Sequence, residues 1–132
     1  MKKLLIITGI ILSVLILVAG GFALFMISGL SDTEQFIIGS IDTDIPDGTY
    51  QGEYNGGRFS NKVAVTVNNK KIIKIDVIKA VTLEREDVTQ KLIGDVIISQ
   101  STQVDEISGA TVTAKAYLRS IENALEQKEI KY

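Results

Sequence analysis

A long apolar run at the amino terminus constrains this chain more than any other feature. Residues 4–30 carry no ionisable side chain. As a helix, the run would be about 40 Å long, which exceeds the roughly 30 Å thickness of a bilayer's hydrocarbon core. It therefore predicts an N-terminal transmembrane helix and a membrane anchor over residues 1–30, followed by a small domain that folds in water.

The charges around this run predict its orientation. Lys2 and Lys3 precede it, whereas Asp32 and Glu34 follow it. Because basic residues remain on the cytoplasmic side, we expect a single-pass anchor in the cell membrane, with a cytoplasmic amino terminus and an extracytoplasmic carboxy-terminal domain. A cleaved signal peptide is the competing interpretation, since residues 19–21 are small, but the run exceeds the usual length of about 7 to 15 apolar residues in such peptides.

The absence of cysteine and histidine excludes whole classes of function. Thiol and imidazole ligands for metals or haem, cysteine nucleophiles and histidine-based triads are all ruled out. The sixteen acidic residues are scattered and show no calcium-loop spacing. All of them, but only twelve of the fourteen basic residues, follow the anchor, and the resulting charge of −4 argues against nucleic acid as a partner. We assign no catalytic residue and no metal site.

Beyond the anchor, the sequence predicts a linker over residues 31–46 and one domain over residues 47–132. Alternating apolar residues predict strands that pair as an antiparallel meander, separated by turns at 55–57 and 68–70. The core-facing strand residues are expected to be Tyr50, Gly52, Tyr54, Val63, Val65, Val67, Ile73, Ile75 and Val77. The other face of the sheet is expected to be solvated.

Apolar residues spaced by three and four positions predict two helices in the second half of the chain. The first contains Val88, Leu92, Ile93, Val96 and Ile97, and the second contains Ala114, Tyr117, Leu118, Ile121, Ala124 and Leu125. Residues 84–87 are interpreted as the solvated beginning of the first helix, with acids near the positive end of its dipole. The expected class is α+β, a small antiparallel sheet packed with two helices and preceded by one N-terminal transmembrane helix.

A short polar motif precedes the second of these helices. It reads Asp105-Glu106-Ile107-Ser108-Gly109-Ala110-Thr111 and places hydroxyl groups beside a glycine in the expected first turn, residues 108–113. The first N–H groups of a helix lack intrahelical acceptors, and the dipole leaves partial positive charge there. A phosphate group would therefore dock favourably at this position, and Gly109 would allow its close approach to the backbone.

This motif resembles the flavinylation motif of the FMN-binding domain family, Asp-x-x-Ser/Thr-Gly-Ala-Thr/Ser. The family includes the FMN-carrying subunits of sodium-pumping NADH:quinone reductases and of Rnf-type complexes. The resemblance implies FMN bound covalently, through a phosphoester, to Thr111. It also implies that Ser108 and Thr113 cap the helix or bind the phosphate, that Gly109 and Ala110 complete the motif, and that Asp105 has a recognition or positioning role.

The resemblance extends over residues 47–125, because Asp47-Gly48-Thr49-Tyr50-Gln51-Gly52 and the Val-rich strand after it are similar to the family's opening hairpin. Two positions depart from the family pattern. Residues 82–87 stand where a Thr-Pro-Gly-like loop is expected, and Ala114 stands where relatives often have serine. Tyr50, Tyr54 and Phe59 could cover a face of the flavin ring, but aromatic residues on a small sheet more often serve only in packing, and we assign them no role in binding.

The function that the resemblance implies is that of an electron carrier, or a subunit of a redox complex, rather than a stand-alone enzyme. The expected partners are the membrane, unidentified redox proteins and a flavin transferase that uses FAD and magnesium. Three alternatives stay open. Residues 108–111 could form only a helix cap, the domain could be an anchored interaction module without a cofactor, or FMN could bind without a covalent bond.

Overall fold

The computed structural model describes residues 1–28, 44–104 and 111–126. Its elements are helix α1 (Lys2–Ile27), strand β1 (Gly48–Tyr54), a 3-10 helix (Gly57–Phe59), strands β2 (Asn61–Asn68) and β3 (Lys71–Lys79), helix α2 (Glu86–Ser99) and helix α3 (Thr111–Glu126). The three strands form one sheet in the order β1-β2-β3, with both pairs antiparallel. The predicted α+β class and the predicted meander are confirmed.

Helix α1 covers residues 4–27 of the predicted apolar run and has no buried residue. It is long and apolar enough to cross a membrane, and an N-terminal signal sequence would meet the same description. Most of the predicted linker, residues 31–43, lies outside the described residues. Ile45, two positions before the expected beginning of the domain, is 4% exposed and belongs to the core.

The hairpin between β2 and β3 has the tight turn that the sequence predicts. Asn68 pairs with Lys71, and the two residues between them, Asn69 and Lys70, have φ values of 51° and 60°. Positive φ at both central positions is the signature of a type I′ turn, whose twist matches that of antiparallel strands. The Lys70 ammonium group also pairs with Asp44 at 2.7 Å, which ties the turn to the beginning of the domain.

The register of β3 corrects one prediction from the alternating pattern. Thr66 pairs with Lys74 and the next residue, Val67, pairs with Ile72, so Ile73 is an extra residue on β3. Such a bulge changes which face of the sheet the side chains beyond it occupy on the strand with the extra residue. Ile72 therefore faces the core at 4% exposure, whereas Ile73, which we expected in the core, is 54% exposed. The alternating sequence pattern cannot reveal a bulge, because it assumes that each residue of one strand pairs with a single residue of the neighbouring strand.

A second irregularity occurs near the other end of β3. Lys62 pairs with Lys79 and Val63 pairs with Val77, which leaves Ile78 as another extra residue. Ile78 is half exposed and Val77 is partly buried against the core. Ile75, between the two irregularities, is buried as expected.

One hydrophobic core joins the inner face of the sheet to both helices. The predicted helical stripes are confirmed, since every residue predicted for α3 is buried and, in α2, only Ile97 is partly rather than fully buried. The opposite face of the sheet is largely exposed, and small Ala64 is the buried exception. Helix α3 packs against β1 and β2, and α2 packs against β3, so both helices contribute to the core on this face.

Helix α3 approaches β1 most closely at Gly52. A Cβ atom built on Gly52 would overlap the carbonyl oxygen of Ser120 and the backbone nitrogen and Cα of Ala124. Only a residue without a side chain allows the helix backbone to lie directly on the strand. The small residues on this side of the helix, Ala116, Ser120 and Ala124, are all fully buried.

Replacing Gly52 with alanine should therefore strongly destabilise the domain. We expect Gly52→Ala to lower the free energy of unfolding by at least about 2 kcal/mol, because the new methyl group meets backbone atoms that move only with the whole helix. Gly94→Ala is the matched control, since Gly94 is in α2 and has no atom within 4 Å of the added Cβ. It should stabilise the protein by about 0.5 to 1 kcal/mol. Urea unfolding of the full chain in non-ionic detergent measures both, and equal stabilities would contradict the close packing.

The pairing of β3 with β2 predicts different stabilities for alanine substitutions at Ile72 and Ile73. Ile72→Ala should cost about 2 to 5 kcal/mol, because it leaves a cavity in the core, whereas Ile73→Ala should cost less than about 1 kcal/mol. The two substitutions remove the same atoms from adjacent positions. The same urea titration distinguishes them, and a larger loss for Ile73→Ala would show that the bulge is misplaced.

Candidate functional site

The structure describes the last residue of the motif and the helix that follows it. Thr111 is the first residue of α3, and both it and Thr113 are partly exposed. Asp105, Ser108, Gly109 and Ala110 lie outside the described residues. The two threonines occupy the first turn of a helix, where backbone N–H groups and the helix dipole favour an anionic group.

The buried face of α3 holds this first turn in a defined place. Ala114, one turn after Thr111, is fully buried, and Tyr117 and Leu118 follow it into the core. These contacts orient the amino-terminal end of the helix relative to the sheet. Thr111 therefore lies partly exposed at the end of a helix whose other face is packed in the core.

A small aromatic cluster lies beside the first two turns of α3. Tyr54 and Phe59 are buried together with Ala116, and Val112 packs against them. Tyr54 ends β1 and Phe59 belongs to the 3-10 helix, so the cluster brings the connection between β1 and β2 next to Thr111. Both aromatic residues are packing residues, in agreement with their interpretation from the sequence.

Arg58 directly precedes Phe59 of this cluster. Its guanidinium carbon lies 4.6 Å from the centre of the Phe59 ring, within cation–π range. Its Nε atom is buried, and none of the residues that the structure describes accepts a hydrogen bond from it. Its backbone carbonyl accepts a hydrogen bond from the N–H of Thr82 at 2.9 Å, which fixes the 3-10 helix to the segment after β3.

Tyr117 fixes the same segment from the other side. Its hydroxyl donates to the Glu84 carboxylate at 2.8 Å and accepts from the N–H of Val81 at 3.3 Å. Between these two contacts, Leu83 has a left-handed φ of 61° and is 70% exposed. Such a conformation costs energy for a residue with a side chain, and here the flanking hydrogen bonds maintain it.

Glu84 makes a contact with Tyr117 that the sequence does not reveal. Residues 84–87 were interpreted only as a solvated helix beginning, and for Glu86 and Asp87 in the first turn of α2 that interpretation agrees with the structure. Arg85 pairs with Asp87 at 3.1 Å. Glu84, however, accepts a hydrogen bond from the hydroxyl of Tyr117, which lies 33 positions later in the chain. No local sequence pattern indicates so distant a partner.

A buried polar pair anchors the chain immediately before the motif. The hydroxyl of Thr102, which is fully buried, donates to Glu122 Oε1 at 3.0 Å. Glu122 on α3 is 5% exposed, and its other oxygen accepts from Arg119 at 3.3 Å. Because Glu122 lies about three turns after Thr111, α3 supports both ends of the segment that contains the motif.

A comparison with protein families decides the identity of the domain. A family model described as an FMN-binding domain matches residues 57–126, which are 70 of the 132 residues. The chain belongs to the FMN-binding domain family. The match includes the 3-10 helix, both later strands and both domain helices, and it begins after β1. A comparison with curated proteins gives no match.

The residues of this FMN-binding domain fit a phosphorylated flavin. The helix beginning at Thr111 offers backbone donors to a phosphate, and the buried Nε of Arg58 is a cationic donor without an acceptor in the described ranges. Within those ranges no group of three or more carboxylates could hold a metal ion. The donor set near Thr111 therefore suits an anionic organic group.

Tyr117 gives this end of the domain a measurable pH dependence. Burial, followed by the hydrogen bond and negative charge of Glu84, raises the pKa of Tyr117 to about 12, although the Val81 N–H acts in the opposite direction. An unfolded tyrosine has a pKa of about 10. The contribution of the neutral phenol to stability is therefore complete below pH 10 and is lost as the pH rises towards 12.

We expect the free energy of unfolding of unflavinylated protein to fall between about pH 10 and 12. This fall should be smaller in Tyr117→Phe, which has no phenol to ionise at that position. Thermal unfolding followed by circular dichroism across this range measures the effect. Glu84→Gln is the second variant, because it removes the neighbouring negative charge and should lower the pKa of Tyr117, as read by phenolate absorbance. An unchanged alkaline profile in Tyr117→Phe would refute the assignment.

Proposed function

We propose that this protein is a membrane-anchored, extracytoplasmic flavoprotein that carries FMN through a phosphoester bond to Thr111 and serves as an electron carrier. The observation that carries the proposal is the position of Thr111. It is the final hydroxyl residue of a complete flavinylation motif, and it begins α3 with a partly exposed side chain in a chain of the FMN-binding domain family.

The attachment is a phosphoryl-group transfer in which no atom changes oxidation state. The Thr111 hydroxyl oxygen attacks the flavin-side phosphorus of FAD, and a new P–O bond forms to the threonine. The bond between this phosphorus and the bridging pyrophosphate oxygen breaks, AMP leaves and the hydroxyl proton passes to a base or to solvent. A separate flavin transferase with bound magnesium supplies the catalytic groups, so this protein is its substrate.

The residues around Thr111 bind and position the phosphate in this proposal. Ser108 and Thr113 supply hydroxyl groups on either side of the attachment residue, and Gly109 permits close approach of the backbone. Asp105 contributes to recognition by the transferase. The anchoring of residues next to the motif by Thr102 and Glu122 would present the motif to the transferase in a constant orientation.

A covalent bond suits a location outside the cytoplasm. A site with micromolar affinity facing nanomolar FMN would be only about 0.1% occupied, whereas an ester-linked flavin is retained. Attachment through the phosphate leaves the isoalloxazine ring free to transfer one or two electrons. Helix α1, acting as an uncleaved signal anchor with a cytoplasmic amino terminus, would keep the carrier at the membrane near its redox partner proteins.

Mutation of the two first-turn threonines tests the attachment site. On coexpression with a flavin transferase, the wild type and Thr113→Val should gain the mass of one FMN less water, and Thr111→Val should gain none. Thr113→Val is the matched control, because it removes a hydroxyl from the same turn. Intact mass and flavin fluorescence on a denaturing gel provide the two readouts.

Two results would contradict the proposal in different ways. Covalent fluorescence in Thr111→Val that disappears in Thr113→Val would move the attachment to the second threonine. Yellow wild-type protein that releases all its flavin on denaturation would establish non-covalent FMN binding instead. Colourless protein prepared without the transferase is the expected starting material.

A further inference from the structure

The clearest unexplained feature near Thr111 is the side chain of Arg58. The chain has three arginines. Arg85 pairs with Asp87, and Arg119 pairs with Glu122 and Glu126. In the part of the chain that the structure describes, Arg58 alone among them has no carboxylate within 4 Å. An arginine that has no carboxylate partner among the described residues is an available binding position for an anion.

The burial of Arg58 strengthens this argument. Its Nε is a buried donor without an acceptor among the described residues, and leaving such a cationic donor unsatisfied is costly. The Phe59 ring supports the guanidinium group at 4.6 Å but does not replace a hydrogen-bond acceptor. A partly buried arginine held flat on an aromatic ring is well suited to an oxyanion, because its donors are already oriented.

The packing around Arg58 indicates which anion this would be. Phe59, the next residue, is buried in a cluster with Ala116, against which Val112 packs. Val112 adjoins Thr111. The 3-10 helix therefore lies beside the first turn of α3. Two independent features thus belong to neighbouring elements: the backbone donors of a helix amino terminus, and a guanidinium group that has no carboxylate partner among the described residues.

We propose that Arg58 binds the phosphate of the flavin attached to Thr111. The inference rests on the proposed function and adds to it a residue outside the motif, 53 positions earlier in the chain. A phosphate diester retains one negative charge, which the guanidinium group neutralises with charge-assisted hydrogen bonds. Arg58 is thereby a binding residue for the cofactor, and by holding the phosphate it positions the ring that the phosphate carries.

The test uses full-length flavinylated protein in a non-ionic detergent without phospholipid, and phosphorus NMR of the single phosphodiester. Arg58→Gln should displace the resonance and narrow it, because the phosphate loses a fixed contact and becomes more mobile. Arg58→Lys, which retains the charge, should restore part of the shift. Arg85→Gln is the matched control, since it removes an arginine whose carboxylate partner is exposed, and it should leave the spectrum unchanged.

A second readout is the rate of flavin transfer. We expect Arg58→Gln to lower the apparent kcat/KM of the transferase for this protein about tenfold, which corresponds to the loss of one charge-assisted hydrogen bond. Arg85→Gln should react at the wild-type rate. Circular dichroism and thermal unfolding establish that each variant is folded, and Arg58→Lys replaces Arg58→Gln for both readouts if the glutamine variant does not fold.

The outcomes separate this inference from the proposed function. If Thr111 becomes flavinylated and Arg58→Gln matches the wild type in both readouts, Arg58 does not bind the phosphate, although the proposed function stands. If the wild type takes up no flavin, both proposals fail. The Arg58→Gln effect should persist after transfer to vesicles of anionic phospholipid. An effect confined to the vesicles would assign Arg58 to a lipid headgroup phosphate and overturn the inference.

Discussion

The close contact between α3 and β1 at Gly52 is the constraint on which the rest of this domain depends. Because Gly52 has no side chain, the backbone of α3 at Ser120 and Ala124 lies directly on the strand. This contact fixes the distance between the helix and the sheet, and the apolar face of the helix packs against the three valines of β2 in one core. A buried hydrogen bond of 2.5 Å from Ser120 to Asn61 then fixes where the helix crosses the sheet. These contacts, at positions nine and thirteen residues after Thr111, determine where Thr111 lies.

Helix α3 also organises the segments around its first turn. Its Tyr117 holds the segment after β3 through Glu84, and its Glu122 holds the segment before the motif through Thr102. In each contact the side chain on α3 is buried, and such polar pairs specify one arrangement because alternatives would leave a buried group unsatisfied. The 3-10 helix completes the arrangement through the Phe59 cluster. The first turn of α3 is therefore held by contacts from several parts of the domain.

This architecture matches the demands of a covalently held flavin. The chain has no cysteine and no histidine, so its own side chains supply little redox or acid–base chemistry, and an attached cofactor would supply the electron transfer. The protein would provide a helix terminus for the phosphate, a cation beside it and an apolar anchor. Two observations support this view together. Membership of the FMN-binding domain family identifies FMN as the cofactor, and the partly exposed Thr111 has a hydroxyl group to which FMN could be bonded.

The sequence by itself determined the helices and strands and the family, and it predicts the attachment residue, because these depend on local patterns: the apolar run, the periods of two and 3.6 residues, and a contiguous motif. Only the tertiary structure decided that Ile72 rather than Ile73 faces the core, since a bulge depends on how β3 pairs with β2. It alone revealed the hydrogen bond between Glu84 and Tyr117 of α3. These residues lie 33 positions apart, and such distant contacts arise from packing against the sheet, which no local pattern encodes.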